Sequence, residues 1–220
     1  MKPPRRPQSE NVTGQRSKRE SAVELLNLDG ISRTHRRALW VVIGVTASMF
    51  LIETGAGHMF SSHALRADAL DFLDDMLMYT LSLAVVDMGL RIRAAVATFK
   101  AGVLCIMSLW VLVSAIFHLP ADQLPSAEVI AIVGLIGLAT NALCQNILAR
   151  FGEPAFYFRL GVASTRHDMV GSAAVVLTAV CVWAMDAAWP DLLVGIAAAS
   201  HLLWLSVQTL RHAFALYRAS

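Results

Sequence analysis

The sequence predicts an all-α, polytopic membrane protein of six transmembrane helices, and three observations support that fold class. The first is composition, because 56% of the 220 residues are hydrophobic and only 15% are charged, whereas soluble domains carry about 25% charged residues. The second is segregation of charge, since nine of the eighteen Lys and Arg residues fall in the first 37 positions. The third is that the remaining chain consists of long apolar runs separated by short polar loops.

Six apolar runs are each long enough to cross about 30 Å of hydrocarbon as a helix. They cover residues 39–60, 64–88, 95–118, 126–149, 161–185 and 190–213. The sequence therefore predicts a basic disordered cytoplasmic tail (1–37), a six-helix transmembrane domain (38–215) and a short C-terminal stub (216–220). The tail has no apolar core of the kind that signal peptides contain. It can touch anionic lipid, but we expect no nucleic-acid partner.

Loop charges predict the orientation. Lys and Arg residues precede the first run, separate the second from the third and the fourth from the fifth, and follow the sixth. The alternate loops, residues 118–128 and 185–191, contain none. By the positive-inside rule we expect both termini in the cytoplasm and a multi-pass protein of the cell (inner) membrane.

The second run contains four aspartates within eight residues. A carboxylate at the bilayer centre costs roughly 2.5–3.5 kcal/mol, so such residues face the bundle interior and usually serve a function. Asp68, Asp71 and Asp75 share one helix face, whereas Asp74 lies about 100° away. Two carboxylates one turn apart repel when both are ionised, and a proton or a divalent cation relieves that repulsion. The pattern predicts a cation path, and the structural alternative is a set of acids that only holds the bundle together.

The fifth run supplies further oxygen ligands, Asp168 and, one turn along the same face, Ser172. Because the second and fifth runs are antiparallel, Asp75 and Ser172 are both expected near mid-membrane. Asp71, Asp75 and Asp168 can then converge, with Ser172 or water as a fourth oxygen. Three carboxylates and a neutral oxygen suit zinc, cobalt or manganese, and oxygen ligands alone do not choose among these ions.

Three further residues are candidates for a role beside the metal ligands or along the ion pathway. Glu53 on the first run needs a partner if it is buried, and either a proton relay or a structural role fits. Asp68 continues the acidic face of the second run, and His167 neighbours Asp168. The chain has no phosphate-binding glycine loop, no Gly-x-Ser-x-Gly and no His-Glu-x-x-His motif. We therefore expect neither an enzyme nor a prosthetic group.

Residues 61–75, SSHALRADALDFLDD, resemble the second-span signature of the cation diffusion facilitator family. In that family a Ser-x-x-Leu-x-Ala-Asp-Ala stretch leads into two metal ligands four residues apart, which here fall on Asp71 and Asp75. The family's second ligand pair falls on Asp168 and Ser172. Residues 49–57 and 189–195 resemble the first-span pattern and the turn into the sixth span, so the resemblance covers about 38–215.

The resemblance implies an efflux transporter for zinc, cobalt or cadmium-type ions, with zinc the most expected, that works by proton antiport as a homodimer. Two features depart from the family. Ser172 stands where the family generally has Asp, and the chain resembles short members without the cytoplasmic C-terminal domain, so a dimer would form through membrane helices. The alternative interpretation is a non-transporting membrane metal sensor or partner subunit.

Overall fold

The structure, a computed structural model, describes the backbone of residues 33–85, 90–117, 124–150 and 156–219. Side chains are described for residues 36–81, 83–84, 92, 95–117, 124–150 and 168–211. This part of the chain is all-α. Its six helices are α1 (Arg33–Met59), α2 (His63–Val85), α3 (Leu90–Phe117), α4 (Ala127–Arg150), α5 (Phe156–Met185) and α6 (Trp189–Ala219).

Five of these helices have the length and composition of membrane spans. Within the described residues, α1, α3, α4, α5 and α6 each contain an apolar segment of 18 to 24 residues with a mean hydropathy between 1.5 and 2.1. The helix that does not meet this standard is α2, because four aspartates lie inside it. The prediction of a polytopic helical membrane protein is therefore confirmed for five helices.

The bundle exposes large apolar side chains and buries acidic ones, as expected for a protein surrounded by lipid. Leu51, Trp110, Phe117 and Trp183 are each at least 69% exposed on the outer surface. A soluble protein would not leave so many large apolar side chains in water. At the same time Glu53 is fully buried. This is the reverse of a soluble protein, in which acidic side chains face water, and it places this acid away from lipid.

The acidic helix α2 lies at the centre and contacts all five other helices. One face is apolar: Ala67, Leu70 and Leu73 are buried in a core that α3 and α6 complete with residues such as Leu104 and Leu202. The opposite face carries the acids toward α1, α4 and α5. Helix α2 is thus divided between an apolar half that holds the bundle together and a polar half.

The helices extend beyond the apolar runs at the ends that carry arginine. Helix α1 begins at Arg33 and α3 at Leu90, which are six and five residues before the predicted starts, while α6 continues to Ala219. Hydropathy misses these turns because it detects only the apolar part of a helix, whereas backbone hydrogen bonding continues into the polar interface. The basic tail up to residue 32 lies outside the described residues.

Asp191 at the start of α6 holds the beginning of α2. Its carboxylate accepts hydrogen bonds from Ser62 Oγ (2.6 Å), from the His63 backbone N–H (2.6 Å) and from the Ala64 backbone N–H (3.3 Å). Ser62 in turn accepts a hydrogen bond from the Leu65 N–H at 3.1 Å, as an N-cap residue does. Three of the free N–H groups at the helix start are therefore satisfied, and the position of α2 against α6 is fixed.

Candidate cation site

The buried acids lie between α2 and the three helices on its polar side. Helix α1 contributes Glu53, α2 contributes the three carboxylates of one face, and α5 contributes Asp168. Glu53, Asp68 and Asp75 have no more than 2% of their surface exposed, and Asp168 has 9%. These carboxyl groups form two layers along α2, one hydrogen-bonded and one made of carboxylates only.

The first layer, here called the hydrogen-bonded layer, contains Glu53, Asp68, Asn141 and Ser172. The Asn141 amide Nδ2 donates to Ser172 Oγ at 3.0 Å. Because Ser172 accepts that bond, its own hydrogen is directed to Asp68, whose Oδ2 and Oδ1 lie 3.1 Å and 3.4 Å away. These hydrogen bonds join α4, α5 and α2.

Glu53 reaches this layer from α1 through space that a glycine leaves open. A Cβ atom at Gly137 of α4 would lie 2.6 Å from Glu53 Oε1 and 3.7 Å from Asp68 Oδ2, so any side chain there would displace the Glu53 carboxyl group. Neither Glu53 oxygen has a hydrogen-bond donor among the described residues. The Asp68 carboxyl group lies nearby, since both side chains come within 4 Å of the Cβ position at Gly137.

The second layer, here called the carboxylate layer, contains Asp71, Asp75 and Asp168. Helix α5 comes close to α2 at Gly171, where a Cβ atom would lie 3.3 Å from Asp71 Oδ2. Asp168 interacts electrostatically most strongly with Asp75 and next with Asp71. One oxygen of Asp168, Oδ2, is buried without a hydrogen-bond partner among the described residues.

The register between α2 and α5 differs from the expected one. Ser172 was expected at the depth of Asp75, but its hydroxyl group bonds Asp68, which lies seven residues away and therefore roughly 10 Å along the helix axis. Estimates of depth from hydropathy have an error of this size because they do not fix how helices slide past each other. Ser172 here belongs to the hydrogen-bonded layer, and Asp168 lies beside the carboxylate layer.

The remaining acid of the run, Asp74, turns away as its helical position predicts. It forms an ion pair with Lys100 of α3, with Nζ–O distances of 2.9 Å and 3.0 Å. Arg66, near the start of α2, donates from its Nε to the Gly57 carbonyl oxygen at 2.9 Å. These two basic side chains therefore bind partners outside the two layers.

The carboxylates are not gathered into a metal cage in this conformation. Among the side chains that the structure describes, no three His, Cys, Asp or Glu groups come close enough to hold one ion. The His167 side chain lies outside the described residues. The predicted ligand set of Asp71, Asp75, Asp168 and Ser172 remains a prediction, and binding one ion at all four would require α2 and α5 to move relative to each other.

Two functional contacts escaped sequence reasoning, the cap that Asp191 places on α2 and the space that Gly137 gives to Glu53. The Ser62 and Asp191 side chains are 129 residues apart in the chain, so only the fold brings them together.

Comparison with known proteins adds no further information, since no protein-family model and no curated protein matches the chain. The length and hydropathy of the helices therefore remain the basis for describing the chain as a polytopic helical membrane protein.

Proposed function

We propose that this protein moves divalent metal cations across the membrane in exchange for protons. One observation carries the proposal: four buried carboxyl groups and the half-buried Asp71, from three helices, lie together inside a bundle whose outer surface suits lipid. Ionised carboxylates are costly to bury unless a positive charge accompanies them. Among the side chains that the structure describes, Lys100 and Arg66 bind elsewhere, which supports protons or bound cations as the partners that neutralise the cluster.

Exchange follows from this requirement for charge balance. A metal ion displaces protons when carboxylates bind it, and protons displace the metal when they return. We assign the metal-binding role to Asp71, Asp75 and Asp168, with Ser172 as a further oxygen after the helices move. The resemblance of residues 61–75 to cation diffusion facilitators supports the same ligands and favours zinc. Oxygen ligands alone would also accept cobalt, manganese or cadmium.

The membrane arrangement belongs to this proposal. Helix α2 contacts all five spans, so we propose that it crosses the membrane with them as a sixth, charge-bearing span. The loop charges support cytoplasmic termini and therefore export from the cytosol across the cell membrane. The exposed apolar faces allow a homodimer through membrane helices in the same bilayer.

Zinc flux into proteoliposomes under an imposed pH gradient tests the proposal. We expect flux that reverses with the gradient and falls to the level of empty liposomes in Asp75→Asn and in Asp168→Asn. Asp186→Asn is the matched control, because Asp186 is exposed in the turn before α6. Metal binding without flux in the wild-type protein would instead indicate a sensor or partner subunit, and absence of both would overturn the metal assignment.

The ion can be identified in the same assay. Flux of zinc, cobalt, cadmium and manganese is compared between the wild-type protein and Ser172→Asp. A carboxylate at position 172 adds a fourth acidic ligand, so we expect the variant to change the order of preference among these ions. An unchanged order of preference would show that Ser172 does not contribute to metal selection.

A further inference from the structure

We propose that Glu53 is a proton-binding site, separate from the metal ligands, and that its proton is released when a metal ion occupies the carboxylate layer. Glu53 lies on α1, which carries none of the predicted metal ligands. Its side chain is fully buried, and both carboxyl oxygens lack a donor among the described residues. The role of this proton in exchange rests on the proposed function, whereas its position rests on geometry alone.

The hydrogen-bond pattern decides which carboxyl group holds the proton. Glu53 Oε1 and Asp68 Oδ2 lie close to one point, 2.6 Å and 3.7 Å from where a Cβ atom of Gly137 would stand. Two ionised carboxylates so close together have no hydrogen to share. Asp68 already accepts a hydrogen bond from Ser172 Oγ, whose hydrogen is directed there because Asn141 donates to the same oxygen. Accepting a hydrogen bond stabilises an ionised carboxylate. The group without a donor, Glu53, is therefore the one that carries the proton.

Among the described residues, no positive charge near Glu53 would hold it in the ionised form. Helix α1 packs against α2 and α4. From α2 the titratable groups that interact with Glu53 are Asp68 and Asp71, which are both acidic. From α4 the nearest contact is Gly137, whose missing side chain makes room for the carboxyl group. A neutral, protonated Glu53 is the form that this site accommodates.

Metal binding provides the change that would release the proton. A divalent ion among Asp71, Asp75 and Asp168 replaces an acidic field with a positive charge about two turns of α2 from Glu53. That charge favours ionised Glu53, so the reaction releases one proton and leaves a carboxylate, with no other change in bonding. When the ion leaves, the acidic field returns and Glu53 takes up a proton again.

Infrared spectroscopy and proton release test the site together. In the wild-type protein at neutral pH and without metal we expect carbonyl stretching bands from several protonated carboxylic acids, and we expect Glu53→Gln to lack one of them, here called the Glu53 band. Glu128→Gln, the same change at an exposed position in the first turn of α4, should keep the band. Zinc titration in weak buffer should release about one proton fewer per bound ion from Glu53→Gln than from the wild-type protein.

Each outcome of the infrared measurement either supports or overturns the proton site at Glu53. Absence of the band from the wild-type protein, or its persistence in Glu53→Gln, overturns the proton site. If Glu53→Gln does not assemble, Glu53→Asp keeps a shorter carboxyl group, and a shifted band supports the site while an unshifted one overturns it. Loss of the band in Glu53→Gln together with wild-type protein that moves no cation supports the proton site and overturns the proposed function.

Discussion

Ser172 on α5 donates a hydrogen bond to Asp68 on α2 at 3.1 Å, and both side chains are buried. This bond joins the two helices that carry the predicted metal ligands. It sets the register in which Asp168 lies beside Asp75 and Asp71. A helix movement that brings Ser172 to the carboxylate layer must therefore break this bond, and the strength of the bond contributes to the barrier between conformations.

Removing the Ser172 hydroxyl group should destabilise the bundle. In Ser172→Ala the Asp68 carboxylate loses a donor, and a bond of this kind to a charged group between membrane helices is worth about 1–2 kcal/mol. We expect a lower unfolding temperature in detergent. The control is Ser48→Ala, because the Ser48 hydroxyl group is exposed and bonds only the Gly44 carbonyl oxygen of its own helix. Equal unfolding temperatures for the two variants would contradict the interhelical role.

Loss of the cap on α2 should also be measurable. Asp191→Ala removes the acceptor for Ser62 Oγ and for two backbone N–H groups, which corresponds to about 1–2 kcal/mol for an N-terminal cap. Asp191→Asn retains one acceptor oxygen and should lose less stability. Asp186→Asn is the control, since Asp186 is exposed and its φ of 48° is one that Asn tolerates. Thermal unfolding of the three variants in one detergent tests whether the losses follow this order.

The sequence allowed the helices and the acidic face of α2 to be predicted because both depend on local periodicity. Apolar length identifies a span, and spacing of three and four residues places Asp71 and Asp75 together while turning Asp74 away. The pairing of Asp74 with Lys100 agrees with that geometry. These features need no knowledge of which helices are neighbours.

Contacts between helices could not be predicted in the same way. Hydropathy fixes a helix end only within a turn or more, so it could not place Ser172 opposite Asp68 rather than Asp75. It also gave no means of finding that Asp191 caps α2 or that Arg66 bonds the Gly57 carbonyl oxygen. Such contacts depend on rotation and sliding of helices, which side-chain packing decides after the spans have formed.

The ion pair between Lys100 and Asp74 should behave as a coupled pair. Each side chain is about one-fifth exposed, so neutralising one of them leaves a partly buried charge without its partner. We expect Lys100→Met and Asp74→Asn each to lower the free energy of unfolding by about 1–3 kcal/mol. The double variant should lose less than the sum. Additive losses would mean that the pair contributes no coupling energy, and Glu128→Gln, at an exposed acid, controls for the loss of a carboxylate.

A close backbone approach, where α6 crosses the start of α2, gives the last prediction. A Cβ atom at Gly195 would lie 2.7 Å from both the carbonyl carbon and the carbonyl oxygen of His63. His63 cannot move aside, because its N–H is held by Asp191 one turn earlier on α6. Gly195→Ala should therefore separate α6 from α2 and destabilise the protein by several kcal/mol.

Gly102→Ala is the matched control for this prediction. A Cβ atom at Gly102 in α3 meets nothing within 4 Å, and alanine favours a helix over glycine by up to about 1 kcal/mol. We expect this variant to unfold at the wild-type temperature or above it. If Gly195→Ala were as stable as Gly102→Ala, α6 and α2 would not be in close contact at this point. The hydrogen bonds that Asp191 accepts would then hold the two helices farther apart than the backbone distances indicate. If Gly195→Ala is destabilised and the double variant with Asp191→Ala is no less stable, both residues stabilise the same contact between α6 and α2.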